Sequence, residues 1–205
     1  MRLYNKYVLP KLIDWACRQN SSKKQREKVI PYAYGNVLEI GIGSGLNLPF
    51  YHLENVKHLT AIDPSIEIWN QNKCNLKNLP FQVDFMQASS ENIPANNNSF
   101  DTVVMTYTLC SIPDTIAAFK EIKRVLKTNG QLLFCEHGKA PDKSTQKWQK
   151  IINPAWKVLG GGCTLHKDIP SIIQNNGFKI TKMDVMYIPG WKPASFNYWG
   201  VAQIK

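Results

Sequence analysis

The stretch Val37-Leu38-Glu39-Ile40-Gly41-Ile42-Gly43-Ser44-Gly45-Leu46-Asn47-Leu48 decides the fold of this 205-residue chain. An apolar run ends in an acid, and three glycines then follow at every second position. The run is typical of a buried parallel strand. The glycines can take positive φ and let the backbone approach a ligand closely, and a helix is expected just after them. The stretch therefore predicts a site for a nucleotide-like ligand.

Strand-like and helix-like runs alternate from Asn36 onward. The strand-like runs are 37–40, 58–62, 81–86, 102–106 and 131–135, and helical stretches near 65–76 and 114–126 lie among them. This alternation predicts an α/β protein, with a parallel sheet and helices on both of its faces. Two final strands, near 178–187 and 195–204, predict a β-hairpin that closes one edge of the sheet.

The length indicates one domain, 1–205, with three parts. Residues 1–35 are predicted to be helical, as a lid over the glycine loop or as packing against the domain. Residues 36–137 form the expected ligand-binding core. Residues 138–205 are expected to supply helices on the substrate side and the closing hairpin.

Composition and cysteine spacing restrict the class of protein. The content of 43% hydrophobic and 20% charged residues is ordinary for a soluble globular chain. No apolar run approaches the roughly 20 residues of a membrane span, and no signal peptide is evident. The five cysteines are scattered without a CxxC motif. We therefore expect reduced thiols in a cytoplasmic protein, with no disulfide framework and no metal site.

The net charge of +10 is concentrated at the two ends of the chain. Residues 1–30 carry 8 basic and 2 acidic side chains, and residues 139–205 carry 10 and 3. Such ends favour contact with an anionic substrate, an anionic membrane surface or nucleic acid. The alternative is that these lysines are solvated and only keep the protein soluble.

Two positions distinguish the kind of nucleotide-like ligand. A dinucleotide fingerprint would place glycine at position 46, where this chain has Leu46. Asp63 follows the next strand, 18 residues after Gly45, where a carboxylate can accept both hydroxyls of a ribose. Asp63 can also cap the helix that Pro64 opens, and the two roles are compatible.

The core resembles the class I S-adenosylmethionine-dependent methyltransferases of the methyltransferase type 11 group. The resemblance rests on Val37–Gly45, Ala61–Ser65, Ser99–Val104 and Arg124–Gly130. It implies a three-layer, Rossmann-like, doubly wound sheet of seven strands with the last strand antiparallel. It also implies S-adenosyl-L-methionine as the cofactor.

A narrower resemblance covers most of the chain. Leu109-Cys110-Ser111, Cys135-Glu136-His137, Asn153-Pro154-Ala155-Trp156 and Gly162-Cys163-Thr164-Leu165 resemble the alkyl-thiol methyltransferases of animals and their bacterial relatives. Asn47–Tyr51 is similar to the same group. The animal proteins begin with a hydrophobic membrane anchor, which is not expected in this sequence. The resemblance implies methyl transfer to a thiol.

The resemblance also implies which residues bind the cofactor: Glu39, Gly41, Ile42, Gly43, Asn47, Asp63, Pro64, Ser89, Ser90 and Thr106. The glycine loop would flank the amino-acid end, Asp63 would bind the ribose, and Pro64 would lie beside the adenine. Ser89 and Ser90 would contact the adenine amino group. Thr106 would lie near the methionine portion.

His137 is the candidate catalytic residue, because ligand sites lie at the carboxyl ends of parallel strands. It would promote loss of a proton from the acceptor, although a lone histidine is more often structural. The predicted activity is methyl transfer to a small apolar or amphipathic acceptor, with a thiol favoured over phospholipid amines and quinone precursors. Nucleic-acid acceptors rank lower. The alternatives are a cofactor-binding interaction module without catalysis and a nicotinamide-dependent oxidoreductase.

Overall fold

A seven-stranded sheet forms the centre of the protein in a computed structural model that describes residues 3–205, with only the backbone of Asn5. The strands are β1 (Gly35–Ile40), β2 (Val56–Asp63), β3 (Gln82–Gln87), β4 (Phe100–Thr106), β5 (Leu126–His137), β6 (Phe178–Tyr187) and β7 (Phe196–Ile204). Their order is β3-β2-β1-β4-β5-β7-β6. Strands β1 to β5 pair in parallel, whereas β7 is antiparallel to both β5 and β6. The predicted sheet and its closing hairpin are confirmed.

Six α-helices accompany the sheet among the described residues. They are α1 (Leu9–Cys17), α2 (Asn20–Val29), α3 (Ile66–Trp69), α4 (Thr115–Val125), α5 (Lys143–Leu159) and α6 (Ile169–Asn175). A π-helical turn, Tyr4–Val8, precedes α1, and 3-10 turns cover Ile30–Tyr32, Leu48–Phe50, Leu76–Asn78 and Lys192–Ala194. Within residues 3–205, we find no helix that is both long enough and apolar enough to cross a membrane.

The core lies on both faces of the sheet because successive strand residues point in opposite directions. Leu38 of β1 packs on one face in a cluster that includes Phe119 of α4 and Ile173 of α6. Its neighbour Val37 packs on the other face with Val29 of α2 and residues nearby. The three-layer arrangement is therefore confirmed.

Strand β1 lies between β2 and β4. The chain adds β2 and β3 on one side of β1 and then crosses over to add β4 and β5 on the other side. Such a switch point leaves a crevice at the carboxyl ends of the strands, where ligands of open α/β sheets bind. The glycine loop, Asp63 and Thr106 all follow or end strands at this crevice.

Two helix predictions were wrong. The glycine loop leads into turns and the 3-10 turn Leu48–Phe50 instead of an α-helix. The helix predicted at 65–76 forms only one turn, α3, which Ser65 caps by accepting the N–H of Ile68 at 3.2 Å. Beyond it, the side chain of Asn72 accepts the N–H of Cys74 at 2.8 Å. Such local bonds compete with the helical ladder, which explains the early end of the helix.

Candidate functional site

A cavity of about 1120 Å³ opens at the carboxyl ends of β1, β2 and β4. Its sheet side is formed by the glycine loop, the segment Asp63-Pro64-Ser65 and the segment Thr106-Tyr107-Thr108. Its opposite side is formed by residues between Leu3 and Arg26 and by the end of α5 with the following glycines, including Lys157, Val158, Gly161 and Gly162. The cavity is large enough for a nucleoside-sized ligand together with a small second molecule.

The glycine loop requires glycine at two positions for different reasons. Gly41 and Gly43 have φ of +70° and +56°, which side chains rarely adopt. A Cβ on Gly41 would also lie 2.3 Å from Oγ1 of Thr108, so that Gly41 permits close packing of two loops. A Cβ on Gly43 would meet only Ile68, at 3.6 Å, so the positive φ alone requires glycine there.

Asp63 joins the glycine loop to α3. Its Oδ2 accepts the N–H of Gly43 at 2.9 Å, and its Oδ1 accepts the N–H of Ser65 at 2.8 Å. The side chain is only 6% exposed and lines the cavity. Burial raises the pKa of Asp63, and the two backbone hydrogen bonds oppose that shift. Each carboxylate oxygen retains a second lone pair for a ligand hydroxyl.

Glu39 lies behind the cavity and positions Asn47. Its Oε1 accepts from Nδ2 of Asn47 at 2.8 Å, and its Oε2 accepts from the hydroxyl of Tyr51 at 2.6 Å. Nδ2 of Asn47 also donates to Oγ1 of Thr106 at 2.9 Å. Burial raises the pKa of Glu39 to about 7, although these hydrogen bonds lower it. Oδ1 of Asn47 is buried and has no hydrogen-bond partner within residues 3–205.

Arg26 is a cavity residue that the sequence analysis missed, because it lies in a run of charged residues that is typical of a solvated helix face. It is 4% exposed. Its Nη1 donates to the carbonyl of Cys17 at 2.7 Å, and its guanidinium carbon lies 4.9 Å from the ring centre of Tyr107. Its Nε has no partner among the described residues.

Seven of the ten predicted cofactor-binding residues line the cavity: Gly41, Ile42, Gly43, Asn47, Asp63, Pro64 and Thr106. Glu39, Ser89 and Ser90 are not among the lining residues. Ser89 is exposed, and the buried Ser90 donates its hydroxyl to Oε2 of Glu91 at 3.0 Å.

His137, the predicted catalytic residue, lies at the end of β5 beside the cavity and not on its surface. Its Nε2 is 3.1 Å from Sγ of Cys163, to which Nε1 of Trp156 donates at 3.2 Å. Burial lowers the pKa of His137, whereas the nearby Cys110 raises it. Together the raising effects are larger than the effect of burial, so the net shift of the pKa is upward. Ser111 and Gly162, the chain neighbours of Cys110 and Cys163, line the cavity.

Glu136 fixes the loop that follows β4. Its Oε1 accepts the N–H groups of Thr108 and Leu109, both at 3.0 Å. The side chain is fully buried, and burial raises its pKa to about 8. This anchoring holds Tyr107 and Thr108 against the cavity, with Tyr107 at a φ of +55°.

Several apolar side chains of the N-terminal segment are exposed, and two of them line the cavity. We define the N-terminal apolar face as Leu3, Tyr7, Val8, Leu12 and Trp15, which are between 41% and 75% exposed. Leu3 and Tyr7 also line the cavity. This part of the cavity wall is therefore apolar, with Lys6 between Leu3 and Tyr7 also among the lining residues.

Comparisons with known proteins agree with this geometry. Residues 38–134 match the family described as a methyltransferase domain. The chain is 32% identical over 166 residues to thiol S-methyltransferase TMT1B of Rattus norvegicus, covering 79% of this chain and 65% of that protein. It is 30% identical over 210 residues to thiol S-methyltransferase TMT1B of Homo sapiens, covering 97% and 85%. The solved structure of the YcgJ protein from Bacillus subtilis is similar in fold, with a TM-score of 0.67 at 16% identity over 90% of this chain and 97% of that one.

Proposed function

Because the chain belongs to the class I S-adenosylmethionine-dependent methyltransferases, we propose that its cavity binds the cofactor and that the methyl acceptor is a small apolar thiol. The observation that carries the choice of acceptor is the identity to human thiol S-methyltransferase TMT1B along 97% of the chain. The apolar part of the cavity wall supports an acceptor of low polarity.

Two unpartnered polar atoms of the cavity fit the amino-acid end of S-adenosylmethionine. Oδ1 of Asn47 is a free acceptor that suits the ammonium group, and Nε of Arg26 is a free donor that suits the carboxylate. Both residues are buried beside the glycine loop. Thr106, which bonds Asn47, would hold the methionine portion, and Glu39 would act through Asn47.

The nucleoside end is assigned to the opposite part of the loop. Asp63 would accept the ribose hydroxyls with the lone pairs that its backbone bonds leave free. Pro64 and Ile42 line the cavity on either side of it. Ser89 and Ser90 remain the predicted adenine contacts.

The bound cofactor supplies a methyl carbon that is activated by a sulfonium. The chain has to align the acceptor with that carbon, exclude water and promote loss of the thiol proton. We assign proton removal to His137, whose pKa is shifted upward. Its imidazole lies 3.1 Å from Cys163, next to the part of the cavity that Ser111 and Gly162 line, and we assign this part as the acceptor end. The hydrogen bond between a catalytic base and its substrate often shortens only when the substrate binds.

Residues 1–35 are proposed to act as a lid. The described part of this segment supplies much of the cavity's outer side, and Asp14 of α1 accepts a hydrogen bond from Ser44 in the glycine loop. Residues 1 and 2 lie outside the described residues. A lid of this kind would keep water from the reacting groups.

The test is single-turnover transfer of a labelled methyl group to a panel of acceptors. The panel contains alkyl thiols of increasing chain length, the matching alcohols and amines, and a quinol. We expect transfer to the thiols, with efficiency rising with chain length. Transfer to the amines or the quinol and to no thiol would overturn the acceptor assignment, and tight cofactor binding without any transfer would favour a binding module.

A further inference from the structure

Three side chains with metal-ligating atoms lie together beside the acceptor end of the cavity. Cys110 follows β4, His137 ends β5, and Cys163 follows the glycines after α5. Their ligating atoms all lie within 4.8 Å of one another. We propose that this cluster binds a thiophilic divalent cation, Zn²⁺ foremost, through three protein ligands and keeps a fourth position open.

The ligand set and its spacing suit zinc. Two thiolates and one imidazole, with a fourth position left open, are a known ligand set for catalytic zinc. With Zn–S near 2.3 Å and Zn–N near 2.0 Å, ligand atoms of a tetrahedral site lie about 3.4–3.8 Å apart. In this cluster Nε2 of His137 lies 3.1 Å from Sγ of Cys163, and no two ligating atoms are more than 4.8 Å apart. The separations required for zinc lie between these two distances. Side-chain shifts of less than about 1 Å would complete the site.

Hydrogen bonds to the two sulfurs prepare them as ligands. Nε1 of Trp156 donates to Sγ of Cys163 at 3.2 Å, and Oγ of Ser111 lies 3.5 Å from Sγ of Cys110. Such outer contacts orient metal ligands and are part of most zinc sites. These contacts hold the two sulfurs in position before any cation arrives.

The local charge also favours a cation. Glu136, the chain neighbour of His137, is fully buried, and its Oε2 has no hydrogen-bond partner within the described part of the chain. The half-buried Lys167 donates to the carbonyls of Leu109 and Ile112. A bound cation would stabilise the ionised forms of these buried sulfur and carboxyl groups.

The fourth position has access to the cavity. Cys163 is half-buried, and the adjacent residues Ser111 and Gly162 line the cavity. If the proposed function holds, an acceptor thiol that binds there releases its proton to solvent and is held as a thiolate. In the cation-bound protein His137 is a metal ligand and the cation promotes loss of the thiol proton, whereas the proton removal assigned to His137 above applies to the cation-free protein. The cation site itself does not depend on the identity of the acceptor.

Cation binding is tested without cofactor or acceptor. The full-length protein is freed of metal with a chelator under reducing, oxygen-free conditions and titrated with Co²⁺, whose visible and thiolate charge-transfer bands report ligand type. We expect one equivalent to bind with thiolate bands and to be displaced by Zn²⁺. Cys163→Ser and His137→Gln should each weaken binding by roughly a hundredfold, since even outer-shell changes cost about 10- to 100-fold.

Cys74→Ser is the matched control, because Cys74 is a half-buried free thiol that is not part of the Cys110, His137 and Cys163 cluster. It should bind Co²⁺ as the parent does, and circular dichroism should show the same fold for all variants. Absence of thiolate bands at one equivalent, or unchanged binding by Cys163→Ser, would overturn the site. The site would also be overturned if Cys110 and Cys163 form a disulfide in air and the protein binds no cation after reduction. Full-rate thiol methylation by the metal-free enzyme would overturn the activating role alone, whereas failure of thiol transfer in a protein that binds Co²⁺ would count against the proposed acceptor.

Discussion

Replacing Asp63 by asparagine tests the cofactor assignment most directly. The change removes the negative charge and keeps the size of the side chain. Asp63 now accepts the N–H groups of Gly43 and Ser65, one on each oxygen. Asparagine offers one acceptor oxygen, so one of these buried N–H groups would face an NH₂ group. We expect the free energy of unfolding to fall by about 1–3 kcal/mol, the usual cost of an unsatisfied buried donor.

The expected loss in cofactor affinity also follows from the number and the charge of the acceptor oxygens at position 63. A hydrogen bond to a charged acceptor contributes about 1.5–3 kcal/mol, against about 0.5–1.5 kcal/mol for a neutral one. In Asp63→Asn the two ribose hydroxyls would share one neutral oxygen instead of a charged carboxylate. The free energy of cofactor binding should therefore weaken by about 2 kcal/mol or more. That loss corresponds to a rise in Kd of roughly thirtyfold. Calorimetric titration with S-adenosylhomocysteine at neutral pH measures it.

Asp101→Asn serves as the control. Asp101 accepts the N–H of Asn36 at 2.8 Å and pairs with Lys127 at 2.7 Å, but it is not a cavity residue. Its replacement should lower stability and leave cofactor affinity unchanged. If Asp63→Asn binds S-adenosylhomocysteine within about threefold of the parent, less than about 0.7 kcal/mol, the assignment of Asp63 to the ribose is refuted.

Four further outcomes are expected. Arg26→Gln should raise the Kd of S-adenosylhomocysteine by about tenfold or more and leave binding of adenosine, which has no carboxylate, unchanged; equal losses for both ligands in calorimetry would contradict its role. Glu39 keeps a proton in the folded state up to about pH 7 but loses it near 4.5 when unfolded, so stability should fall as pH rises through this window, and urea unfolding of Glu39→Gln should show a flatter profile. Gly43→Ala should cost about 1–2 kcal/mol of unfolding free energy from its positive φ, and Gly41→Ala should cost more because of the contact with Thr108; equal losses would argue against that contact. If the N-terminal apolar face and its lysines touch a membrane, sedimentation with anionic vesicles should weaken steeply with salt, and binding that is insensitive to salt would exclude this kind of contact.

The sequence by itself determined the sheet and the position of the ligand site. Alternating apolar runs and turn residues are local patterns, so β1 to β7 could be predicted with ends shifted by only a few residues, apart from the early start of β5. The glycine spacing and Asp63 follow from the same local logic, because strand ends on a switch point meet at one crevice. The one-turn α3 was missed because side chains such as Asn72 compete locally for backbone groups, a balance that periodicity does not report.

Only the tertiary structure decided which polar atoms reach the cavity. Arg26 reaches the cavity because its guanidinium packs over the ring of Tyr107, and Glu39 lies behind the cavity because it accepts hydrogen bonds from Tyr51 and Asn47. The cluster of Cys110, His137 and Cys163 joins positions 27 and 26 residues apart, which no spacing motif connects. Contacts of this range depend on how the loops after β4, β5 and α5 pack together. For that reason the sequence could predict where the cofactor binds, whereas the residues of the proposed acceptor end are brought together only in the folded chain.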